Sequence, residues 1–389
     1  MPTMSQWLTL VARNVLRHRL RTSLTLVGLI VAILAFGVLQ TVVKTWYAGV
    51  DGAVPSRLLT RNAVSFTLPL PKSYQKRISA VEGVRRVTHL SWFGGVYKDS
   101  KNFFPQFAID AASYLDMFPE LLVPDQVRRA FLSERRGAIV GRKLAKRYGF
   151  KPGDVIQLRG TIFPGNWEFV ICGVFDGRDP KTDTSQLFFR WDYLNETLRV
   201  RSKAQADQVG VFAVDVVSLD SVADVSQAID EVFRNSLAET LTETERAFQI
   251  GFVKQTEAIL ISIRVVSFVV IFIILAVMAN TMAMTARERL REYATLKAIG
   301  FSPGYVARLI LGESVLIALI GGAIGIALTP PVAARLAELS ATLFPTLFVS
   351  VNTVMLQALA ALVVGILAAL WPMRRAARVR IVDGLRALG

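Results

Sequence analysis

Four stretches of this chain have a length and an apolar character that point to membrane-crossing helices. Thr22–Val43 runs 22 residues without a charge, Ala258–Thr285 holds only Arg264, Leu309–Thr329 only Glu313, and Val351–Trp371 none. A helix rises about 1.5 Å per residue, so roughly 20 apolar residues cross ~30 Å of hydrocarbon. Each run meets that length, and four transmembrane α-helices are expected. They concentrate the excess of hydrophobic residues, 52% of 389. The first run exceeds the roughly 7–15 apolar residues of a signal-peptide core, and no clear A-x-A site follows it. It reads as a retained anchor.

The formal charge of +15 invites a nucleic-acid reading, but its distribution argues against one. Residues 1–21 carry Arg13, Arg17, Arg19 and Arg21. Residues 286–308 carry Arg287, Arg289, Arg291, Lys297 and Arg308, and the tail carries Arg374, Arg375, Arg378, Arg380 and Arg386. Only Glu288, Glu292 and Asp383 oppose these fourteen, whereas 28 basic and 24 acidic residues nearly balance across 45–256. Excess Lys and Arg beside the spans marks cytoplasmic flanks. The expected topology has both termini inside, residues 45–256 outside, the block 286–308 inside, and an outward hairpin of spans three and four.

Periodicity divides the rest. Trp7, Leu10, Val11 and Val15, with Arg13 and Arg17 between them, fit a basic amphipathic helix on the membrane surface or a plain extension of the first span. Between 45 and 256, strand-like runs (NAVSFTL, VTHLSWFGGVY, QFAIDA, QVGVFAVDVVS) alternate with helical ones, and a Pro-Gly-Asp turn leads KPGDVIQLRG into WEFVICGVF as a hairpin. Val222, Val225, Ile229, Val232 and Phe233 define one helical face. An α+β domain with a mixed sheet is expected, with core enough in about 210 residues. It holds together without an intrachain disulfide, since Cys172 is the single cysteine. Residues 236–256 contain good helix formers and are expected to run unbroken into span two. Trp92, Phe93, Phe103 and Phe104 read as core aromatics more readily than as a surface for hydrophobic cargo.

Catalytic chemistry finds little footing. The two histidines, His18 and His89, stand far apart, and there is no cysteine cluster, H-E-x-x-H or G-x-S-x-G. Asp176, Asp179 and Asp183 in DGRDPKTDTS lack the i, i+2, i+4 spacing of a calcium loop and read as a surface turn. No G-x-x-x-x-G-K-[ST] occurs, so no P-loop binds ATP here. The expectation is a non-catalytic chain with no metal site and no cofactor of its own.

The block RERLREYATLKAIGFSPGYVARL (Arg287–Leu309) sits between two apolar runs. Leu290, Tyr293, Leu296 and Ile299 recur every third residue. Gly300 suits a helix C-cap, and Ser302-Pro303 an N-cap followed by a first-turn proline. The pattern spells a stalk of span two, a break, and a short new helix leading into span three. Such a helix at the membrane surface suits mechanical contact with another protein; an ordinary charged loop is the other reading. Glu313 would cost about 2.5–3.5 kcal/mol facing lipid, so it should face a partner helix or the interface. Gly321, Gly322 and Gly325 would let helices approach closely, or are merely tolerated.

The run REYATLKAIGFSPGYVARLILGESVLIALIGGAIGIAL resembles the signature of the FtsX-like permeases, the MacB, LolC/LolE and FtsX group of type VII ABC transporters. The matching residues are Arg291, Glu292, Leu296, Lys297, Ala298, Ile299, Gly300, Ser302, Glu313, Gly321, Gly322 and Gly325. The tail WPMRRAARVRIVDGLR resembles the family ending, with Gly384 where Ala is commoner. NVLRHRLRTSLTLVGLIVAI is similar to its first span, and GAIVGRKLAKRYGFKPGDVIQL with VICGVF resembles the MacB-like periplasmic core domain.

The resemblance implies four spans with a large α+β domain between the first two. It implies ATPase coupling through Arg291, Glu292, Leu296, Lys297, Gly300, Ser302, Pro303 and Tyr305. Helix packing would fall to Glu313, Gly321, Gly322 and Gly325, with Arg374, Arg375 and Arg378 in the cytoplasmic tail. The helix starting near Ser302 would be the coupling helix. The implied map is an amphipathic helix at 1–21, spans at 22–44, 257–285, 309–330 and 351–372, and the periplasmic domain at 45–256. The stalk and coupling helix fall at 286–308, an outer loop at 331–350, and the tail at 373–389. ATP and Mg would be bound by a separate ATPase dimer, as the chain starts directly at the membrane where MacB has a fused ATPase domain. A second permease copy or a related permease, a periplasmic adaptor and membrane lipid are the other candidate partners, and nucleic acid is not one. The implied role, at the bacterial inner membrane, is mechanotransmission that drives export or extraction of a substrate from the periplasm or outer leaflet; the rival is FtsX-like signalling to a periplasmic partner such as a cell-wall hydrolase, without transport.

Overall fold

The computed structural model describes residues 19–47, 50, 52–99, 102, 104–179, 182–254, 256–339 and 347–378. The amphipathic helix expected at 3–20 lies almost wholly outside them, as do Phe103 and the tail beyond Arg378. The chain divides into a helical unit and a compact domain inserted after the first long helix.

The helical unit is built from α1 (Arg19–Trp46), α2 (Glu257–Glu288), α3 (Leu290–Ala298), α4 (Pro303–Leu339) and α5 (Val351–Arg378). Four of these, α3 excepted, are long and apolar enough to cross a membrane. Their shared core includes Leu29, Ile33, Ile274, Met278, Tyr293, Ile310, Ala318 and Val364. Two expectations change. No separate short helix starts at Ser302, because α4 continues without a break from Pro303 into the third span. The short helix is α3, which follows a turn at Arg289. α4 also passes through Pro330 and Pro331 to Leu339, so the first nine residues of the expected outer loop are helical. The Thr329 hydroxyl bonds Gly325 O at 2.8 Å in the turn before those prolines, the kind of side-chain bond that helps membrane helices tolerate proline.

Strands β1 (Arg57–Asn62), β2 (Leu70–Pro71), β3 (Val84–Trp92), β4 (Gly95–Val96), β5 (Gln106–Ile109), β6 (Leu121–Leu122) and β7 (Gly137–Gly141) open the inserted domain. β8 (Val155–Gly160), β9 (Gly165–Gly177), β10 (Leu187–Arg190), β11 (Gln208–Val209), β12 (Val211–Val216) and β13 (Thr240–Thr244) complete it. Eleven form one mixed sheet in the order β13-β1-β12-β3-β5-β10-β7-β9-β8-β4, with β6 on β9. The β5–β10 and β7–β9 pairs are parallel and the others antiparallel. Alternation sorts side chains onto two cores: Leu187 and Phe189 join one, and Phe188 between them joins the other. The β8–β9 hairpin forms as the sequence predicts, with Leu158 opposite Trp167. Helix Val222–Val232 buries Val225 and Ile229.

Two segments depart from expectation. NAVSFTL is not a strand; the strand lies just upstream in RLLTRN, and Val64, Phe66 and Leu68 are exposed in the loop that follows. Residues 240–244 are not helical but form β13 against β1. Thr240 and Thr242 turn inward, where the Asp230 carboxylate accepts from both hydroxyls. β-branched Thr at every second position is a pleated-sheet signal that outweighs helix propensity. A helix covers Glu245–Lys254, and Thr256 then lies in a turn before α2.

His89 on β3 is buried, with Nδ1 2.9 Å from Lys72 Nζ and its ring edge-on to Trp191. Burial first, then the Lys72 ammonium, keeps the imidazole neutral well below its ordinary pKa, against the pull of Asp110. On acidification below about 6.5 the unfolded chain gains a proton that the folded domain refuses. Stability therefore falls with pH, at up to ~1.4 kcal/mol per unit. Unfolding free energies measured from pH 7 to 5 should decline more steeply for the native chain than for His89→Phe; identical slopes would contradict this.

Candidate functional site

The block that joins α2 to α4 gathers its charged groups at one end of the helical unit. Arg289, in the turn before α3, is 8% exposed although it carries a full charge. Its Nη1 donates to Glu313 Oε2 at 2.9 Å and its Nε to Glu292 Oε2 at 3.0 Å, and its guanidinium lies 5.4 Å from the centre of the Tyr293 ring. Burial opposes the charge on Arg289, but Tyr293 and the Glu292 and Glu313 carboxylates outweigh it and raise the pKa. Burial likewise pushes the Tyr293 hydroxyl up to about 12. The lone acid of span three is thus neutralised from the turn before α3, across 24 residues of sequence.

A second tie runs to α5. Lys297 Nζ donates to Ala376 O at 3.1 Å and Ala377 O at 2.8 Å, where a helix C-terminus leaves carbonyls unsatisfied. Tyr293 and Ala294 bury the inner face of α3, with Leu296 packed beside them. The helix then ends in a Schellman motif: Gly300 N bonds Lys297 O, Phe301 N bonds Leu296 O, and Gly300 sits at φ +101. Ser302 Oγ accepts from Tyr305 N at 3.2 Å, with Pro303 opening α4, and Tyr305 stacks on Phe301. Ile299 does not follow the buried face; it lies past the last helical residue and is 71% exposed.

Arg291, Gly300, Ser302 and Pro303 are exposed. Arg374, Arg375 and Arg378 are exposed on the last turns of α5. Deeper in the unit, a methyl on Gly321 would lie 2.7 Å from Leu29, one on Gly322 2.7 Å from Ala361, and one on Gly325 3.0 Å from Ile30 O. The first and third glycines bring α1 close to α4, and the second brings α5 close. The sequence reading did not single out Arg289 as the partner of Glu313. The available signal was Glu313 itself, one acid in an apolar run that follows a block of arginines.

The inserted domain holds a second buried guanidinium that sequence reasoning missed. Arg57, 2% exposed at the start of β1, donates to Glu120 Oε1 (2.8 Å), Glu245 Oε2 (3.2 Å) and Met117 O (2.8 Å). Glu245 also accepts from Val54 N at 3.0 Å. Burial raises the Glu245 pKa, with Arg57 pulling the other way. The segment that enters the domain and the helix that leaves it are therefore pinned together. Asp176 pairs with Arg142, while Asp179 and Asp183 bond their own turns through Thr182 and Ser185.

Both parts of the chain match known protein families. Residues 264–381 match the family model described as FtsX-like permease C-terminal, and residues 22–232 that of the MacB-like periplasmic core domain. The chain is 20% identical over 402 residues to an uncharacterised ABC transporter permease of Methanocaldococcus jannaschii, covering 97% of each. It is 24% identical over 350 residues to the pyoverdine export ATP-binding/permease protein PvdT of Pseudomonas putida, covering 82% of this chain but only 50% of that one. Among solved structures, the extracellular domain of the noncanonic ABC-type transporter YknZ from Gram-positive bacteria aligns at TM-score 0.37 and 15% identity, over 48% of this chain and 100% of that one. The periplasmic region of MacB from Actinobacillus actinomycetemcomitans aligns at 0.35 and 14%, over 54% and 95%.

Removing Glu313 leaves the buried Arg289 guanidinium with Glu292 as its remaining carboxylate partner. Glu313→Leu should lower the unfolding free energy in detergent by about 3 kcal/mol, the low end for breaking a buried pair. Arg289→Met/Glu313→Leu together should recover much of that loss; a double variant as unstable as the single one would refute the pairing.

Proposed function

Because the chain belongs to the FtsX-like permeases of ABC transporters, with a MacB-like periplasmic core domain between its first and second spans, we propose that it is a mechanotransmitting permease in which α3 is the ATPase-coupling helix. The observation that carries this reading is the mounting of α3. Its inner face is fixed by Arg289–Glu313 and by Lys297 on the end of α5, while Ile299 projects bare at its tip. An exposed apolar side chain on a rigid base suits insertion into a groove of a partner, and a flexible loop would dissipate the push it receives.

In this reading α3 and both ends of the described chain face the cytoplasm, in line with the basic residues beside the spans. No P-loop occurs in the 389 residues, so nucleotide and Mg are held by an ABC ATPase dimer outside them. The name of the Pseudomonas relative, which joins ATP-binding and permease functions, supports that partnership. ATP-driven closure of the ATPases moves α3, the spans carry the displacement, and the inserted domain receives it through both of its chain connections. Pinning of those connections by Arg57 would make the domain respond as one body. Two permease copies, one on each ATPase, would act together to export or extract a substrate at the far side of the inner membrane.

Ile299→Asp tests the docking step. Co-purification of the ATPase should weaken at least tenfold, equivalent to about 1.4 kcal/mol, while membrane insertion and thermal stability hold. Unaltered association together with normal transport would refute α3 as the coupling helix.

A further inference from the structure

Charges in the same block are not all spent on each other. Glu288 accepts from both terminal nitrogens of Arg21 at 2.7 and 2.8 Å, and Glu292 and Glu313 both accept from Arg289. Arg287, in the last turn of α2, and Arg375, on α5, have no carboxylate partner among the described residues. Both approach one indole: the Arg375 guanidinium is 5.3 Å and the Arg287 guanidinium 6.0 Å from the Trp371 ring centre. Trp371 is 53% exposed. Two like charges gathered beside one aromatic ring from two different helices make a local excess of positive charge, which attracts an anion.

The depth of this group along the span identifies the anion's setting. Trp371 lies 20 residues after the first residue of α5, which is about 30 Å of helix rise and so the thickness of the hydrocarbon. Tryptophan favours that boundary, where its ring is apolar and its N–H is wet. A phosphodiester offers two free oxygens to the planar fork of each guanidinium. We propose that Arg287, Trp371 and Arg375 form a binding site for the phosphate of an anionic phospholipid at the α3 end of the helical unit. The site does not depend on α3 docking on an ATPase.

The delipidated full chain in neutral detergent, titrated with dioctanoyl-phosphatidylglycerol and followed by native mass spectrometry, tests the site. Each arginine beside an anionic headgroup strengthens binding about five-fold, so Arg287→Gln/Arg375→Gln should bind ~25-fold more weakly. Arg374→Gln/Arg378→Gln, which removes the same charge nearby, should cost less than five-fold, and the native chain should bind dioctanoyl-phosphatidylcholine, whose choline offsets the phosphate charge, more weakly than the phosphatidylglycerol. Should the glutamine variant fail to fold, Arg287→Lys/Arg375→Lys keeps the charge but loses the fork and should bind more weakly than the native chain. Equal phosphatidylglycerol binding by native and variant chains overturns the site, as does an equal loss in the Arg374/Arg378 control. Displacement of the lipid by millimolar inorganic phosphate alone would make it a site for free phosphate and overturn the lipid assignment.

Discussion

A guanidinium and a carboxylate buried together, Arg289 and Glu313, constrain everything at one end of the helical unit. Neither charge tolerates an apolar surrounding alone: an unpaired acid in the hydrocarbon costs about 2.5–3.5 kcal/mol. α3 therefore cannot swing away from α4 without separating Glu313 from Arg289. The same demand explains why a short helix of nine residues holds a fixed place at all, since helices of that length are marginal in isolation. Lys297 on the α5 carbonyls and the buried Tyr293 ring then fix its rotation.

Further along the unit the ties are neutral. Gln357 donates to Ile33 O at 2.9 Å and to the Thr329 hydroxyl at 2.8 Å, joining α5 to α1 and α4, and Ser314 donates to Gly365 O. Gly37 leaves room for that amide; a methyl there would fall 2.0 Å from it. Each such bond contributes on the order of 1 kcal/mol between membrane helices. Together with the close contacts at Gly321 and Gly325 they hold α1, α4 and α5 as one body. The inserted domain repeats the charged version, with Arg57 held by Glu120 and Glu245. In each unit one buried arginine sits where a change of chain direction has to stay fixed.

The four spans and the α+β character of the insertion were legible because both rest on local pattern. Twenty apolar residues in a row, or the alternation in WEFVICGVF, constrain structure whatever surrounds them. The short helix was half legible: Gly300 and Ser302-Pro303 marked a boundary, and the structure has caps there, yet the helix expected after it lies before it. Capping residues fix where helices end but not which neighbour is short. Thr240–Thr244 was missed because its partner strand begins 182 residues earlier, at Leu58–Asn62. The Arg289–Glu313 pair was out of reach for a related reason. Three arginines stand close together in the block, and only packing decides which of them turns inward.

The central claim is that α3 moves with the spans as one rigid piece. Spin labels at Ala298 and Arg374, in a Cys172→Ser chain, would report the distance from α3 to the end of α5. A single narrow distance, unchanged when an ATPase partner binds ATP and broadened by Glu313→Leu, is the predicted result. A broad distribution in the otherwise native chain, or one indifferent to Glu313, would show that α3 is not fixed to the bundle and would contradict the account.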